Sequence, residues 1–379
     1  MKGKILFLAP MNPMGIGGGS FATHAYLRAF SSIANGNIDV IIADSWKESW
    51  DTKVVVDEKV IAYPMTVTQY MLSLFTNEIQ RYSRVAESII SKAPEKYSYI
   101  VSNGSSISGK LYKKAHQLGI KLITIHHNCE PEYFVANSKG LHRLLYLPIV
   151  KKLEKRAYIN SDYNLFLTEQ DELEFNKRYG SCKGVNGVLG VFEFSDYVDS
   201  TLNYQKKDKL SFVITGSLCT MQGIDGIKYF FSELYHHLPN DCEVVIAGRN
   251  PSLEIKDLCA RHSNVRLIPN PKNMHDVISS CDIYICPTRV GGGLKLRVMD
   301  GLKLGLPVVT HKCSARGYDA FFKTPFLKSF TNGIEFKQAL QDVLDNYNSV
   351  DRKDLTRLYE SLFSYDAGIE RIKSIIPEF

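Results

Sequence analysis

In the C-terminal half of the chain, short β-branched runs recur with helix-length segments between them. They are LSFVITG (Leu210 to Gly216), EVVIAG (Glu243 to Gly248), VRLI (Val265 to Ile268), DIYIC (Asp282 to Cys286) and PVVTH (Pro307 to His311). Strands that are apolar throughout need cover on both faces, and strands separated by helices pair in parallel. The pattern therefore predicts a parallel sheet flanked by helices. The N-terminal half repeats it with KILFLAP, IDVIIAD, YSYIVSN, KLITIHHN and YNLFLTE, with helical stretches between Tyr63 and Tyr97 and from about Leu141 to Asn160.

A length of 379 residues exceeds one ordinary core and suits two domains of roughly 150 to 200 residues. The fold class is α/β, with two Rossmann-like, doubly wound lobes in tandem. The strand-helix rhythm lapses between Val188 and Lys209, where the polar segment NYQKKDK precedes a fresh strand. The division reads as an N-terminal lobe over 1–190 and a second lobe over 191–355. The segment 356–379 reads as helix, interrupted near Phe363-Ser-Tyr-Asp, that crosses back to the first lobe.

Composition removes several classes. No apolar run reaches the roughly 18 to 20 residues a membrane span needs, and the apolar start MKGKILFLAP leads into glycines without a cleavage site, so it reads as a first strand. The eight cysteines form no C-x-x-C pair, which suits reduced thiols in the cytoplasm. A net charge of +6 suits an anionic substrate or membrane surface and, with no aromatic-basic motif, does not indicate nucleic acid.

The stretch RVGGGLKLRVMDGLKLGLPVV (Arg289 to Val309) joins a strand's carboxyl end to a helix whose apolar face is Leu294, Val298 and Leu302. Gly291, Gly292 and Gly293 let an anion approach backbone N–H groups at the helix start. The helix dipole supplies only about 0.3 to 1 kcal/mol. Lys295 and Arg297 add fixed positive charge where a cation is otherwise unfavourable, so a bound anion is the natural remedy. Asp300 is placed to accept from a ribose diol. Gly216 and Ser217, after the strand LSFVITG, offer N–H and hydroxyl donors to the same diphosphate.

In the first lobe Gly15, Gly17, Gly18 and Gly19 follow the first strand and open a helix near Ser20. A dinucleotide site with Asp44 as ribose acid is a rival reading, but its third glycine is replaced by Ser20. His126, His127 and Glu130 end the strand KLITIHHN and suit an imidazole that binds substrate. With neither H-E-x-x-H nor Asp-x-Asp in the chain, a metal site is not indicated. The segment KGLHRLLYLPIVKKLEKR (139–156) holds basic residues around an apolar run and suits an anionic membrane surface as well as a solvated face.

With these motifs assembled, the chain resembles the GT-B glycosyltransferases, specifically the retaining nucleotide-sugar enzymes of glycosyltransferase family 4. FVITGS, VVIAGRNP, NVRLIPN, DIYICPTRVGGGLKLRVMDGLKLGLPVVTH and ARGYD carry the likeness, with GGGS, THAY, HHNCE and FSYDAGIERI as weaker matches. The resemblance implies two lobes facing a central cleft, the first for the acceptor and the second for the donor. It implies transfer of a sugar from a nucleoside-diphosphate sugar to an acceptor hydroxyl with retention and without a metal or other cofactor. By resemblance Lys295, Gly292, Gly293 and Leu294 hold the diphosphate with Arg297, Asp300 takes the ribose, and Ile268 lines the base with Arg249 nearby. Gly17, Gly18 and Gly19 meet the diphosphate and sugar, His127 or His126 faces the sugar, and Glu130 is the acceptor-side candidate. Gly292 stands where many members carry the first of two glutamates, and Asp300 where they carry the second.

The acceptor implied is a saccharide or lipid-linked saccharide in cell-surface polysaccharide or glycolipid synthesis. The location implied is the cytoplasm, peripheral on the inner membrane face. A nucleotide-sugar epimerase and a catalytically silent nucleotide-binding protein are the alternatives.

Overall fold

The computed structural model describes residues 3–15, 17–43, 54–76, 81–194, 209–291, 294–349 and 351–379. The chain divides into two units. Unit 1 is Met1–Asp196 with Phe363–Phe379, and unit 2 is Tyr197–Leu362.

Unit 1 runs β1 (Lys4–Leu8), α1 (Gly18–Ile33), β2 (Ile38–Ala43), β3 (Glu58–Ala62), α2 (Val67–Thr76), α3 (Arg81–Lys92), β4 (Tyr97–Ser102) and α4 (Leu111–Gln117). It continues with β5 (Lys121–His126), α5 (Glu130–Asn137), α6 (Gly140–Asn160), β6 (Tyr163–Phe166), α7 (Glu169–Tyr179) and β7 (Val185–Val188). The strands form one parallel sheet in the order β3-β2-β1-β4-β5-β6-β7. All six residues of β2 are buried, as an apolar strand covered on both faces must be. On one side Leu6, Ile41, Ile100 and Leu122 meet Ala86 and Ile90 of α3 and Leu111 and Ala115 of α4. Each such aliphatic side chain contributes roughly 1.5 to 3 kcal/mol through burial. Thr168 caps α7 by accepting the Asp171 N–H at 3.1 Å, and Gly180, at φ 79°, ends it.

Unit 2 runs β8 (Leu210–Ser217), α8 (Met221–Tyr229), β9 (Cys242–Arg249), α9 (Leu253–Ala260), β10 (Val265–Pro269) and α10 (Met274–Ser279). Then follow β11 (Ile283–Cys286), α11 (Leu296–Lys303), β12 (Val308–His311), β13 (Leu327–Phe330), α12 (Gly333–Asn346) and α13 (Arg352–Phe363). Its parallel sheet has the order β10-β9-β8-β11-β12-β13. Phe212, Ile214, Val244 and Ile246 of the central strands pack with Phe230, Phe336 and Leu340.

After α13 the chain returns to unit 1 through α14 (Tyr365–Ile375), capped by the Ser364 hydroxyl accepting from Ala367 N–H at 3.2 Å. A Cβ on Gly368 would stand 2.2 Å from the Phe192 ring, and one on Gly187 2.7 Å from Ile375, so both contacts demand glycine. Tyr365 donates to the Arg28 carbonyl at 3.0 Å, Tyr163 to Glu378 at 2.6 Å, and the Phe379 ring lies against Phe30 and Tyr99.

The five strands read from each half are all present, and the class is two Rossmann-like parallel sheets. The helical stretch after Tyr63 is two helices, α2 and α3, and the 141–160 stretch is one helix that continues through Pro148. In both sheets the order reverses beside the first strand: between β1 and β4 in unit 1, and between β8 and β11 in unit 2. Open α/β sheets bind ligands outside the strand carboxyl ends at such reversals.

Candidate functional site

In unit 2 the reversal is flanked by the β8–α8 loop and the β11–α11 turn, and the turn is tied at each leg. Arg289 makes a bidentate pair with Asp225, both bonds 3.0 Å, and lies 4.5 Å over the Tyr229 ring. Thr288 accepts from Ser314 Oγ through its carbonyl at 2.6 Å and from Arg297 Nη1 through its hydroxyl at 2.9 Å. The Gly291 carbonyl accepts from Cys313 Sγ at 3.2 Å, and the Lys295 carbonyl from Tyr318 Oη at 2.8 Å. Helix α11 then starts with Lys295 at its N-cap, with no side-chain cap and no acidic residue in the first turn. Val298 and Leu302 form its buried face; Leu294 precedes the helix instead of opening that face.

The cations converge here. A Cβ on Gly291 would stand 2.9 Å from Lys295 Nζ and 2.2 Å from Gln222 Nε2, so an ammonium and an amide lie against this glycine. Gly216, at φ 153°, has the Arg297 guanidinium directly upon it, 2.5 Å from where a Cβ would be. Arg297 thus reaches from α11 across the reversal onto β8. Burial holds the Lys295 ammonium below the usual lysine value, and the Arg297 charge adds to that depression. A partly desolvated ammonium near a second cation gains from an anion.

The neighbouring strand ends are in register, with Ser217 opposite Arg249 and Gly248 opposite Pro269. Arg249 is exposed and Ile268 half-buried. Asp300 is half-buried on α11; burial first, and then the Asp300 charge, raise the phenols of Tyr284 and Tyr318. Gly216, Ser217, Lys295 and Arg297 therefore meet at one place, Arg249 and Ile268 lie along the adjacent strand ends, and Asp300 is one turn inside the helix. Gly292 and Gly293 lie outside the described residues, as does Asp44.

Unit 1 has a counterpart. Helix α1 starts at Gly18 with Gly17 as N-cap at φ 126°, again without a capping side chain or an acid in the first turn. Gly19 is packed against Met11, whose Sδ is 2.2 Å from a Cβ position. Thr23 Oγ1 donates to the Gly19 carbonyl at 2.7 Å, Asn103 Nδ2 donates to Thr23 Oγ1 at 2.8 Å, and His127 Nε2 meets Asn103 Oδ1 at 2.5 Å. Since Asn103 accepts, His127 carries its proton on Nε2 in the neutral tautomer. Burial pushes its pKa down to about 4, so it is neutral at physiological pH.

His126 has a different role. It is 1% exposed, bonds Asn164 at 2.9 Å, stacks on Phe166 at 4.9 Å and meets the edge of Phe175 at 4.7 Å. It belongs to the packing of the sheet.

Glu130 opens α5, and its N–H donates to Glu154 Oε2 at 2.6 Å, so Glu154 of α6 caps α5 from a neighbouring helix. Glu154 is fully buried and also accepts from Tyr179 Oη at 2.6 Å. Burial pushes both carboxyls up to about 7, each beside the other's charge. A raised carboxyl favours the folded state while protonated, so this stability is present at acid pH and is lost as pH rises from about 4.5 through about 7. Glu154→Gln is expected to flatten that loss and add about 1 to 3 kcal/mol at alkaline pH. Urea midpoints of both chains, taken on either side of neutrality, measure it.

Asn103, Thr23, Gln222 and Glu154 were not singled out from sequence. Asn103 carries a usable signal, a polar residue at the end of the apolar run YSYIVSN. Gln222 at the start of α8 carries none. Among the described residues, no group of three or more His, Cys, Asp or Glu side chains is arranged to hold a metal ion.

Two parallel-sheet units of this order have the GT-B fold. Residues 209–346 match the family model described as Glycosyl transferases group 1, so the sequence of unit 2 matches this enzyme class. No curated protein matches the chain. HepE of Anabaena, solved in complex with UDP, superposes with a TM-score of 0.68 at 12% identity, over 99% of this chain and 100% of that one. The lipopolysaccharide outer core galactosyltransferase WaaB, in its apo form, gives 0.70 at 12% identity over 99% of each chain. WaaG, a glycosyltransferase involved in lipopolysaccharide biosynthesis, gives 0.65 at 14% identity over 98% of this chain and 99% of that one. At these identities the likeness is one of fold.

Proposed function

We propose that the chain moves a glycosyl group from a nucleoside-diphosphate sugar to a hydroxyl of a saccharide or lipid-linked saccharide. The anomeric configuration is retained, no divalent cation takes part, and the setting is cell-surface polysaccharide or glycolipid synthesis on the cytoplasmic side of a membrane. The observation that carries the reading is the meeting of Lys295, Arg297 and Gly216 beside an uncapped helix start. As the glycosidic bond breaks, negative charge grows on the departing diphosphate. Donors oriented beforehand stabilise that state more than the ground state.

On this reading Lys295 and the first N–H groups of α11 take the diphosphate, with Arg297 beside them. Asp300 takes the ribose diol, and Ile268 and Arg249 border the base. Fixed cations supply the charge that a metal supplies at other phosphate sites. In unit 1 neutral His127, oriented by Asn103, serves a sugar hydroxyl, Gly17 to Gly19 serve the diphosphate and sugar, and Glu130 serves the acceptor. HepE was solved with UDP and with UDP-glucose, so a uridine nucleotide sugar is the first donor to assay.

Incubation with nucleotide sugars, with and without candidate acceptors and with excess chelator, tests the reading. Acceptor-dependent nucleotide release, undiminished by the chelator and giving a product of the donor's anomeric configuration, is the expected result. Epimerised donor formed without acceptor, or nucleotide uptake with no transfer to any acceptor, would overturn it.

A further inference from the structure

Helix α2, VTQYMLSLFT, contains no charged residue, which is unusual for a surface helix. Its inward side packs Tyr70 and Leu74 on Tyr146, Ile149 and Leu153 of α6. The seam is made of rings: Tyr70 stacks on Tyr146 at 4.7 Å and its hydroxyl meets His142 Nε2 at 3.0 Å. Yet the outward side is also apolar, with Val67 78% and Met71 57% exposed at a spacing of one helical turn. Across the same seam the first turns of α6 expose Leu141 at 69% and Leu144 at 71%. Burial in the protein explains neither set.

The charge around these side chains has one sign. Helix α6 carries Arg143, Lys151, Lys152, Lys155 and Arg156 against a single carboxylate, Glu154, which is fully buried. Among the described residues no carboxylate pairs with Arg143 or Lys151. Those two flank a surface groove of about 460 Å³ whose floor is Leu144, Leu147 and Pro148. Projecting apolar tips with cations beside them, and no anion on the same face, suit the headgroup layer of a bilayer. A protein partner would ordinarily be met by mixed charge and a polar rim.

We infer that the exposed face of α2 and the first half of α6 docks on an anionic phospholipid bilayer, with a lipid phosphate held between Arg143 and Lys151. Val67, Met71, Leu141 and Leu144 enter the headgroup layer, and no helix among the described residues is long and apolar enough to cross it. This deepens the acceptor reading above, because a lipid-linked acceptor is met at such a surface.

Co-sedimentation of the full chain with vesicles tests it, comparing phosphatidylglycerol-phosphatidylcholine mixtures with phosphatidylcholine alone at about 0.1 M and about 0.5 M salt. Binding to the anionic vesicles alone, weakened by salt and not displaced by millimolar inorganic phosphate, is the expected result. Arg143→Gln with Lys151→Gln, and separately Met71→Ser with Leu144→Ser, should each lower the vesicle partition coefficient at least tenfold. Equal binding to neutral vesicles, no binding to either, or displacement by inorganic phosphate overturns the dock. So does a dimer in sedimentation that Met71→Ser abolishes, which would assign the face to a second copy of the chain. Calorimetry with UDP on the same preparations reads the donor site separately: a chain that takes up UDP and ignores vesicles loses only the dock, and one that binds vesicles without UDP loses only the transferase reading.

Discussion

Lys295→Met loses at least tenfold in nucleoside-diphosphate affinity and in turnover, and it melts no earlier than the parent chain. A charge-assisted hydrogen bond contributes about 1.5 to 3 kcal/mol, and about 1.4 kcal/mol is a factor of ten. The methionine keeps most of the apolar stem beside Gly291 and removes only the ammonium. In the empty protein that ammonium is held below its usual pKa by burial, so its charged form is a cost to the fold below that value, and removing it does not destabilise. For the same reason diphosphate affinity in the parent chain weakens as pH rises through the lowered value, earlier than an ordinary lysine would set. The variant lacks this alkaline limb. Calorimetric titration with UDP across alkaline pH, with melting curves alongside, measures both effects, and full activity in the variant would reject the site.

Gly216→Ala has the second large effect, through geometry. The backbone there stands at φ 153°, and the new methyl would lie 2.5 Å from the Arg297 Cζ. The guanidinium must leave, giving up its bond to Thr288, or β8 must shift from its register with β9. Strain of this kind costs on the order of 1 to 3 kcal/mol. The expected result is a lower melting temperature together with at least a tenfold loss in diphosphate affinity. Arg297→Ala separates the two: made in the parent chain it reproduces the affinity loss without the backbone strain.

The central strands were legible because burial on both faces leaves an apolar run that stands out. The three that were missed, β3, β7 and β13, are all at sheet edges. Their sequences EKVIA, VNGV and LKSF carry polar residues toward solvent, and β3 and β7 are largely exposed or half-buried. An edge needs no apolar run, and it gains from polarity that discourages further pairing. The glycine turn and its two cations were legible for the opposite reason, since charge placed against a helix dipole is conspicuous in a sequence. What surrounds them was not. Gln222 and Thr288 reach the site only because β8 and β11 become neighbours in the sheet, and that adjacency is a property of topology. His126 and His127 are adjacent in sequence and equivalent by composition. Alternation along the strand end sends one toward Phe166 and Phe175 and the other toward Asn103.

Because unit 1 draws on both Met1–Asp196 and Phe363–Phe379, it cannot be finished in the order in which it is translated. The Phe192 ring waits for Gly368, and Phe30 and Tyr99 wait for Phe379, while the whole of Tyr197–Leu362 is being made. At roughly 5 to 20 residues per second that delay is on the order of ten to thirty seconds. Throughout it the nascent chain presents an open greasy seam to the cytosol, and a ribosome-associated holdase has time to reach that seam before the closing helix does.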